Sequence, residues 1–531
     1  MERRILRVRA PLIALASAGI LCFALVGTAF AGPYTIGGLS QATGPSPFAP
    51  GCGGSGEGSA TSFNFQDSEV EPWVAVDPTD ASHMVAFWQQ DRWSDGGAHG
   101  LVAGVTHDGG TSWTTSFPAF SRCAGAGPGD PGYFERSSDP WVSFSPNGVL
   151  YSIAISTDFS TARNAVLVSR STTGGASWET PNTLKFDRAR ADVPLGTNFN
   201  DKESLTADPG DSSFAYAVWD RLVFPNERAS AAAVEHTFAF RGPTWFSRTT
   251  NGGASWETAR PIYDPGQQNQ TISNQIVVRP DGGLVDGFVL IKQSQSDQKS
   301  RGFSVRIIRS PDNGETWSTP IKVAPFHAVG VTDPEPVHCR PFLSTNPLCT
   351  LVRTGDIVPD FAVDRTGGAN NGNLYAVWQD HDSSPFGDDS IMFSSSTNGG
   401  TSWSAPVKVN DTPAGAYNTQ AFTAAVDVRG DGDVAVTYYD MRDDAQGDGT
   451  LDTDYWIAHS HDAGQTWSAS QKISGPFDMR SAPYARGYFV GDYEGLDNIG
   501  SLFEPFFVLA NNGNQAFNDP NKTDGFLSSA G

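Results

Sequence analysis

The chain has 531 residues, which is more than one ordinary hydrophobic core supports, and a repeat fold avoids that limit because each repeat packs mainly on its neighbours. Its formal net charge of −23 at pH 7 excludes a surface built to bind nucleic-acid phosphates. With 57 glycines, 35 prolines and 14 tryptophans, the composition is typical of a turn-rich all-β protein.

Residues 1–31 predict an export signal. An apolar run from about Pro11 to Phe30 follows a basic start, and Ala29-Phe30-Ala31 is an A-x-A-like cleavage site. The alternative is an uncleaved anchor, because about 20 apolar residues can span a bilayer. We expect cleavage, and therefore a secreted protein without a membrane span, which acts as a monomer.

Residues 32–66 are rich in Gly, Pro and Ser and are expected to form a flexible N-terminal arm. An even number of cysteines remains after cleavage, which favours disulfides in an exported chain. Cys339–Cys349 would close one loop, and Cys52–Cys123 would tie the arm to the first repeat, although the sequence leaves the connectivity open. No C-x-x-C is present, so a zinc or redox site is not expected.

One eight-residue pattern occurs six times, at intervals of roughly 60 to 85 residues. The two best copies, 310–317 and 460–467, read Ser-x-Asp-x-Gly-x-Thr-Trp, and the looser copies are 106–113, 171–178, 249–256 and 396–403. The Asp suits a tight turn because it accepts hydrogen bonds from nearby backbone N–H groups. The Gly adopts a positive φ at little steric cost. The pattern therefore predicts six equivalent hairpin turns.

Each copy resembles the Asp-box, or BNR repeat, of the sialidase/neuraminidase superfamily of β-propellers. The resemblance implies an all-β fold of four-stranded antiparallel blades, here over residues 67–515, with a C-terminal tail at 516–531. Seven segments that resemble a first strand recur, starting near residues 71, 139, 203, 274, 360, 422 and 491. We predict seven blades, with six as the alternative. An N-terminal strand at Thr61–Gln66 would close the last blade.

Strand direction predicts where the chemistry lies. Because successive strands are antiparallel, first-strand starts and second-strand ends share one face, opposite the Asp-boxes. The longest loops also lie on this face, and loops carry function more often than scaffolds do. Acidic residues mark the strand starts: Glu71, Asp139, Asp201, Glu203, Asp360, Asp492 and Glu494. They either supply an acid/base pair or a cation site, or are merely hydrogen-bonded strand ends.

A second motif, an aromatic followed by Asp and a basic residue, recurs at second-strand ends: Trp88–Arg92, Trp219–Arg221, Trp378–His381 and Tyr439–Arg442. Its Asp–Arg pairs are either structural struts or cations for an anionic substrate. The acidic loop 440–454 is a candidate for Ca²⁺, which prefers oxygen ligands, but it lacks EF-hand spacing and a plain acidic loop is the alternative. No other cofactor or metal is expected.

Sialidases of this superfamily bind the sugar carboxylate with three arginines and use a Tyr nucleophile assisted by a Glu, with an Asp as acid/base. Their first blade carries Arg-Ile-Pro, whereas this chain reads Glu71-Pro72-Trp73, so no catalytic residue carries over by motif. Residues of the right types are still present on the predicted face. The catalytic candidates are Asp139, Glu203, Tyr439, Tyr493 and Glu494. The substrate-binding candidates are Arg92, Arg221, Arg442 and Arg486.

Three functions follow from these patterns. The first is a secreted, sialidase-like glycoside hydrolase of the exo-α-sialidase type, acting on terminal acidic sugars. The second is a non-catalytic extracellular propeller that binds glycan or protein, and the third is a polysaccharide lyase. Three arginines converging beside a Tyr–Glu pair would favour hydrolysis. Arginines that are each paired with a neighbouring Asp would favour binding.

Overall fold

The structure is a computed structural model. It describes residues 32–531 except 55–57, 59–60, 162, 189–197, 224–240, 294–299, 336, 338, 340–347, 382–387 and 511–521. The predicted signal peptide, residues 1–31, lies outside the described residues. Within the described part, no helix is long and apolar enough to cross a membrane. The only helix there is one 3₁₀ turn, Met479–Ser481.

The chain is an all-β propeller of four-stranded antiparallel sheets, which confirms the predicted fold class. Sheet 1 contains β2 (Asn64–Val76), β3 (Met84–Trp93), β4 (Ala98–Thr106) and β5 (Thr114–Ser116). Sheet 2 contains β6 (Arg136–Phe144), β7 (Leu150–Asp158), β8 (Arg163–Ser171) and β9 (Asn182–Arg188). Sheet 3 contains β10 (Asn198–Ala207), β11 (Ala215–Val223), β12 (Thr244–Thr249) and β13 (Arg260–Tyr263). Sheet 4 contains β14 (Asn269–Val278), β15 (Leu284–Gln293), β16 (Ser300–Ser310) and β17 (Ile321–Phe326).

Three more sheets complete this series. Sheet 5 contains β20 (Asp360–Val363), β21 (Leu374–His381), β22 (Asp389–Ser396) and β23 (Val407–Lys408). Sheet 6 contains β24 (Ala421–Val428), β25 (Val434–Asp440), β26 (Asp452–Ser460) and β27 (Gln471–Asp478). Sheet 7 contains β29 (Gly495–Ile499), β30 (Leu502–Ala510), β31 (Thr523–Leu527) and β1 (Ser40–Gln41). The number of blades itself stays a prediction, because sheets 1 and 2 are linked through one residue pair, Ala98–Ser137.

A small accessory sheet lies outside this series. It contains β18 (Val331–Asp333), β19 (Thr350–Arg353) and β28 (Tyr488–Phe489). Strands β19 and β28 pair in parallel, so Val352 lies opposite Tyr488 and Arg353 lies opposite Phe489. This pairing brings residues of two distant chain segments to one place beside the first strands of sheets 1 and 7.

Side chains join the first strands of neighbouring sheets. The free edge of each first strand exposes backbone groups that need partners. Asp497 accepts the Val76 N–H at 2.7 Å, and Asp360 accepts the Val426 N–H at 2.7 Å. At the junction of sheets 1 and 2, the rings of Trp73 and Trp141 stack with centroids 3.4 Å apart. These buried polar contacts and this aromatic pair therefore add to the hydrophobic clusters that neighbouring sheets share.

The repeated turns have the hydrogen bonds expected of their residues. Asp312 accepts the Thr316 N–H at 2.9 Å and the Thr316 hydroxyl at 2.6 Å. These hydrogen bonds lower the pKa of Asp312 to about 2. Gly314 has φ 91°, and a Cβ there would lie 2.5 Å from the Phe246 ring of the preceding sheet. Glycine is required at this position both by its conformation and by the close approach of the neighbouring sheet.

The predicted closing strand was wrong. The segment Thr61–Gln66 leads into β2, which pairs with β3 in sheet 1. Sheet 7 is instead completed by β1, which pairs with β31, so the predicted arm and tail both contribute strands. Tyr34 anchors the start of the arm, because its hydroxyl donates to Asp433 at 2.9 Å and its ring stacks on His459 at 3.7 Å.

Both predicted disulfides are present. Cys52–Cys123 joins residues 71 positions apart, and Cys339–Cys349 joins residues ten positions apart. Because loop-closure entropy grows with loop length, we expect the double Ser variant of the first pair to lose about 4 kcal/mol of unfolding free energy. The same change in the second pair should cost about 3 kcal/mol. Guanidinium unfolding curves measure both, and a larger loss from the short loop would contradict the expectation.

Candidate functional site

The first three sheets each place a charged residue at the same point of the first strand. Glu71, Asp139 and Lys202 lie at β-bulges with φ values of 54°, 58° and 49°. The bulges of sheets 4 and 6 carry Ser273 and Thr423, with φ values of 61° and 46°. Left-handed backbone is unfavourable for such residues and concentrates at functional sites. The bulges of sheets 1 to 3 therefore place three charged residues at equivalent points of neighbouring first strands.

Five charged side chains meet there, and we call them the channel cluster: Glu71, Asp139, Lys202, Arg353 and Asp492. The Lys202 ammonium lies 2.6 Å from Asp492 Oδ2, 3.5 Å from Glu71 Oε1 and 3.7 Å from Asp139 Oδ2. Arg353 donates to the same Asp492 oxygen at 2.7 Å. One ammonium thus lies close to three carboxyl groups, and all three are buried.

A second layer of polar side chains orients the carboxylates. The Gln89 amide donates to Glu71 and, at 3.1 Å, to the Ser138 hydroxyl. Ser138 in turn donates to Asp139 Oδ1 at 2.5 Å. Gln89 also accepts a hydrogen bond from Arg92 at 2.6 Å. Glu71 and Asp139 are therefore tied to each other through Gln89 and Ser138.

Arg92 and Arg353 form a cationic wall beside the carboxylates. Their guanidinium carbons lie 4.9 Å and 4.3 Å from the centroid of the Phe489 ring. Arg92 is buried, whereas about a quarter of the Arg353 side chain is exposed. The Phe489 ring fixes the position of both arginines, so their charges are available in a fixed geometry.

Two carboxyl groups of the cluster have pKa values shifted in opposite directions. Burial raises the pKa of Glu71 to about 8, because the charge of Lys202 only partly offsets burial and the nearby carboxylates oppose ionisation. Burial would also raise the pKa of Asp492, but the charges of Arg353 and Lys202 outweigh it and hold that pKa well below its usual range. At neutral pH, Glu71 is protonated and Asp492 is ionised. Such a division is typical of sites that perform acid/base chemistry.

Two carboxyl oxygens in the cluster are buried without a hydrogen-bond partner among the described residues: Glu71 Oε1 and Asp139 Oδ2. Both face the Lys202 ammonium. Next to the bulge residue Lys202, Glu203 is 3% exposed, and neither of its oxygens has a partner in the described part of the chain. Buried polar atoms are normally satisfied, so these oxygens call for a ligand or for protonation.

Tyr493 lies beside the cluster, but its hydroxyl is engaged. It donates to the Pro140 carbonyl at 3.1 Å, and its ring packs against Trp141 with centroids 5.5 Å apart. Burial and the charges of Glu71 and Asp139 raise the pKa of Tyr493 further above 10. A tyrosine nucleophile needs an adjacent base or a lowered pKa. The engaged hydroxyl and the raised pKa therefore do not favour Tyr493 as a nucleophile.

Two other catalytic candidates, Tyr439 and Glu494, lie elsewhere. Tyr439 and Glu494 interact with each other and with Tyr455 inside the hydrophobic core that sheets 6 and 7 share. The Tyr439 hydroxyl donates to the Val508 carbonyl at 2.6 Å. All three side chains are at most 1% exposed, so the pair is in the core rather than at a surface.

Three of the four predicted arginines do not converge. Arg221 donates to both oxygens of Asp187, at 2.9 and 2.5 Å. Arg442 donates to both oxygens of Asp440 at 2.9 Å and to Asp411 at 2.8 Å. Arg486 donates to the Asp95 carbonyl at 2.7 Å. Only Arg92 belongs to the cationic wall, and its companion is Arg353.

The structure thus brings together Asp139, Glu203, Tyr493 and Arg92 from the predicted set. It adds Glu71 and Asp492, which the strand starts had marked as acidic but which had no assigned role. It also adds Lys202, Gln89 and Arg353, which were missed. A signal for Lys202 exists, because it occupies the bulge position that Glu71 and Asp139 occupy in the first two sheets. Arg353 lies outside the repeats, so the strand register of the repeats could not have placed it in the cluster.

The acidic loop does not form a carboxylate cage in the described structure. Asp443 pairs with Lys472, and Asp444 accepts a hydrogen bond from Asn418 at 3.0 Å. Among the described residues, the one group of potential metal ligands is Cys52, His99 and Cys123, and its cysteines form a disulfide. The described contacts of this loop are therefore ion pairs and hydrogen bonds within the protein.

No protein-family model and no curated protein matches the chain. Among solved structures, the Hadza microbial sialidase Hz136 is 16% identical, covering 84% of this chain and 73% of its own, with a TM-score of 0.45. The α-L-arabinofuranosidase Arb93A from Fusarium graminearum is 11% identical over 75% and 98% of the two chains, with a TM-score of 0.42. The leech intramolecular trans-sialidase is 10% identical over 88% and 92%, with a TM-score of 0.43. Likenesses this distant assign no activity to the chain, whose repeats and sheets resemble those of the Asp-box superfamily.

Proposed function

We propose that the protein is a glycoside hydrolase whose active site is the channel cluster. One observation carries the proposal: Glu71 Oε1 and Asp139 Oδ2 are both buried, both lack a hydrogen-bond partner in the described structure, and both lie within 3.7 Å of one ammonium. Glycosidases of most families need two carboxyl groups that flank the scissile bond, one protonated and one ionised. Glu71 is the general acid, and Asp139 is the second carboxyl group, which acts as nucleophile or base.

Lys202 and Asp492 are positioning residues in this proposal. Burial would lower the pKa of Lys202, but Asp139, Asp492 and Glu71 outweigh burial and raise it well above 10.5. Lys202 therefore stays charged and reduces the repulsion that three adjacent carboxyl groups would otherwise feel. Asp492, held by Arg353, fixes the ammonium in place.

The substrate class we propose is a glycan with a terminal acidic sugar, of the kind the Asp-box resemblance implies. Arg92 and Arg353 supply the cations, and guanidinium groups match a carboxylate in charge and geometry. The engaged hydroxyl of Tyr493 favours a carboxylate mechanism over a tyrosine nucleophile.

A non-catalytic, glycan-binding propeller is the second candidate. Arg221 and Arg442 are each paired with neighbouring carboxylates, as expected for structural struts. The Lys202 ammonium also has three carboxyl partners within the protein.

Hydrolysis of fluorogenic glycosides by residues 32–531 tests the choice. The panel contains a sialoside, a glucuronide and an α-L-arabinofuranoside, each assayed from pH 4 to pH 8 with and without Ca²⁺. We expect turnover of an acidic-sugar glycoside. Suppose that the protein unfolds cooperatively and is retarded by glycan in affinity gel electrophoresis, yet cleaves none of the three substrates. That result would favour the second candidate.

A further inference from the structure

Three side chains that can bind a metal ion meet beside sheet 1: Cys52, His99 and Cys123. One ligand atom of each lies within 4.8 Å of the others. In tetrahedral zinc sites, neighbouring thiolate and imidazole ligand atoms are about 3.5–3.8 Å apart. In the structure the two cysteines form a disulfide, whereas the form of cysteine that binds a metal is the thiolate. The three side chains therefore become a ligand set when this disulfide is reduced.

His99 has the orientation of a metal ligand. It lies in β4, is 2% exposed, and its ring makes an edge contact with Trp93 at a centroid distance of 5.7 Å. Its Nδ1 lies 2.9 Å from Asp91 Oδ2, so the carboxylate accepts the Nδ1 proton and Nε2 is the nitrogen that can bind a metal. In zinc sites, a carboxylate behind the imidazole fixes its tautomer and raises its basicity.

Asp91 is held in place by the N-terminal arm. Its φ of 65° is unfavourable for a residue other than glycine, and such strained positions concentrate at functional sites. Asp91 Oδ1 accepts the Asp67 N–H at 2.8 Å, and Oδ2 accepts the Ser46 hydroxyl at 2.6 Å. Ser46 belongs to the arm, so the carboxylate that orients His99 also binds the segment that carries Cys52.

Hydrogen bonds hold the same segments together independently of the disulfide. Arg122 donates to the Gly53 carbonyl at 2.7 Å, which joins the chain neighbours of the two cysteines. The Ser121 hydroxyl donates to the His99 carbonyl at 2.5 Å and accepts the Ala124 N–H at 3.1 Å. Breaking the S–S bond removes none of these hydrogen bonds, so we expect both thiols to stay close to His99. A ligand set held in this way binds a metal with little cost in chain entropy.

The second disulfide of the chain has no comparable surroundings. Cys339–Cys349 closes a short loop, and within the described residues no histidine or carboxylate forms a ligand group with it. Full reduction therefore produces four thiols, of which only the first pair has an imidazole within reach in the described structure. The second pair serves as an internal control.

We propose that Cys52, Cys123 and His99 form a redox-controlled binding site for a thiophilic divalent cation such as Zn²⁺. A thiol reductant converts the protein disulfide into two thiols and is itself oxidised to a disulfide. The cation then displaces the two thiol protons and binds two thiolates and His99 Nε2, with a water molecule as the fourth ligand. The arm is thus joined to sheet 1 by a covalent bond when oxidised and through the cation when reduced. This inference is independent of the proposed function.

Titration with Co²⁺ tests the site, because cobalt thiolates absorb in the near ultraviolet. Residues 32–531 are reduced with dithiothreitol, separated from it by gel filtration without oxygen, and titrated with Co²⁺ and then Zn²⁺. We expect one equivalent to bind to the reduced protein, with thiolate bands that Zn²⁺ removes, and no such bands from the oxidised protein. His99→Ala should weaken Zn²⁺ binding at least about 100-fold, since even the outer-shell partners of metal ligands contribute about 10–100-fold. His107→Ala, at an exposed histidine outside the site, is the matched control.

The cysteine variants identify which pair binds the cation. Cys339→Ser with Cys349→Ser should keep the bands, whereas Cys52→Ser with Cys123→Ser should abolish them. Bands that are absent from the reduced wild type, or that His99→Ala leaves unchanged, would overturn the site. If reduction alone unfolds the chain, thermal melting with and without Zn²⁺ replaces the titration. Zn²⁺ should then restore a cooperative transition in the wild type but not in His99→Ala, and its failure to do so in the wild type would also overturn the site.

Discussion

Replacing Glu71 with Gln is expected to lower kcat at least 100-fold on glycosides with a poor leaving group. Gln cannot donate a proton to the departing oxygen, and general acid catalysis contributes about 10²–10⁴-fold. An activated aryl leaving group needs little proton donation, so the loss on aryl glycosides should be much smaller. The comparison requires one acidic sugar attached in turn to an alcohol of high pKa and to a nitrophenol.

The pH profile gives an independent readout of the same residue. Because the pKa of Glu71 is raised to about 8, the acid is present below that pH and is lost as the pH rises through it. We expect wild-type activity on poor leaving groups to fall above about pH 8, and Glu71→Gln to lack that limb. Glu179→Gln, which removes an exposed partner of Arg170, is the matched control and should match the wild type. Equal losses on good and poor leaving groups would contradict the general-acid role.

The protein is expected to be more stable at pH 5 than at pH 8. Burial raises the pKa values of acids along the first strands, to about 7 for Asp360 and Asp497 and to about 6 for Asp427. Burial also raises the pKa of Asp356 and of Glu504 to about 8. An acid whose pKa is higher in the folded than in the unfolded state, where it is about 4, stabilises the fold while protonated. That stabilisation is lost as the pH rises from about 4 through the folded pKa.

Calorimetry at pH 5, 6.5 and 8 measures this effect, and Tm should fall by about 5 °C or more over the range. A variant of Asp286 tests the effect most directly. Asp286 is buried, burial raises its pKa, and neither of its carboxyl oxygens has a hydrogen-bond partner in the described structure. Asp286→Asn should therefore reduce the difference between pH 5 and pH 8. The exposed Asp281→Asn is the control. A Tm that is equal or higher at pH 8 would show that the buried acids are ionised without cost.

Much of the fold was predictable because its signal is local. The box residues from Ser310 to Trp317 form their turn from hydrogen bonds within eight residues, so the spacing alone identifies it. The closing strand was not predictable in this way. The pairing of Ser40–Gln41 with Thr523–Leu527 joins segments near the two ends of the chain. Neither segment has a sequence pattern that identifies the strand with which it pairs.

The candidate site was predictable only in part, for a related reason. Asp139 and Glu203 were found because they lie at strand starts, where register places them. Arg353 reaches the cluster through the parallel pairing of β19 with β28, which joins segments that lie far apart in the chain. The aromatic–Asp–basic motif did not show which arginines belong to the cluster. Arg221 and Arg442 share this motif with Arg92, but each is paired with a nearby carboxylate.

The most direct measurement is a crystal structure of the Glu71→Gln variant soaked with an acidic oligosaccharide that the wild type hydrolyses. We expect the acidic sugar to lie between Arg92, Arg353 and the other residues of the channel cluster. The glycosidic oxygen should lie within hydrogen-bond distance of residue 71, and the anomeric carbon should face Asp139. A sugar bound on the Asp-box face, or anywhere that leaves Glu71 and Asp139 without contact, would contradict the assignment of this cluster as the active site.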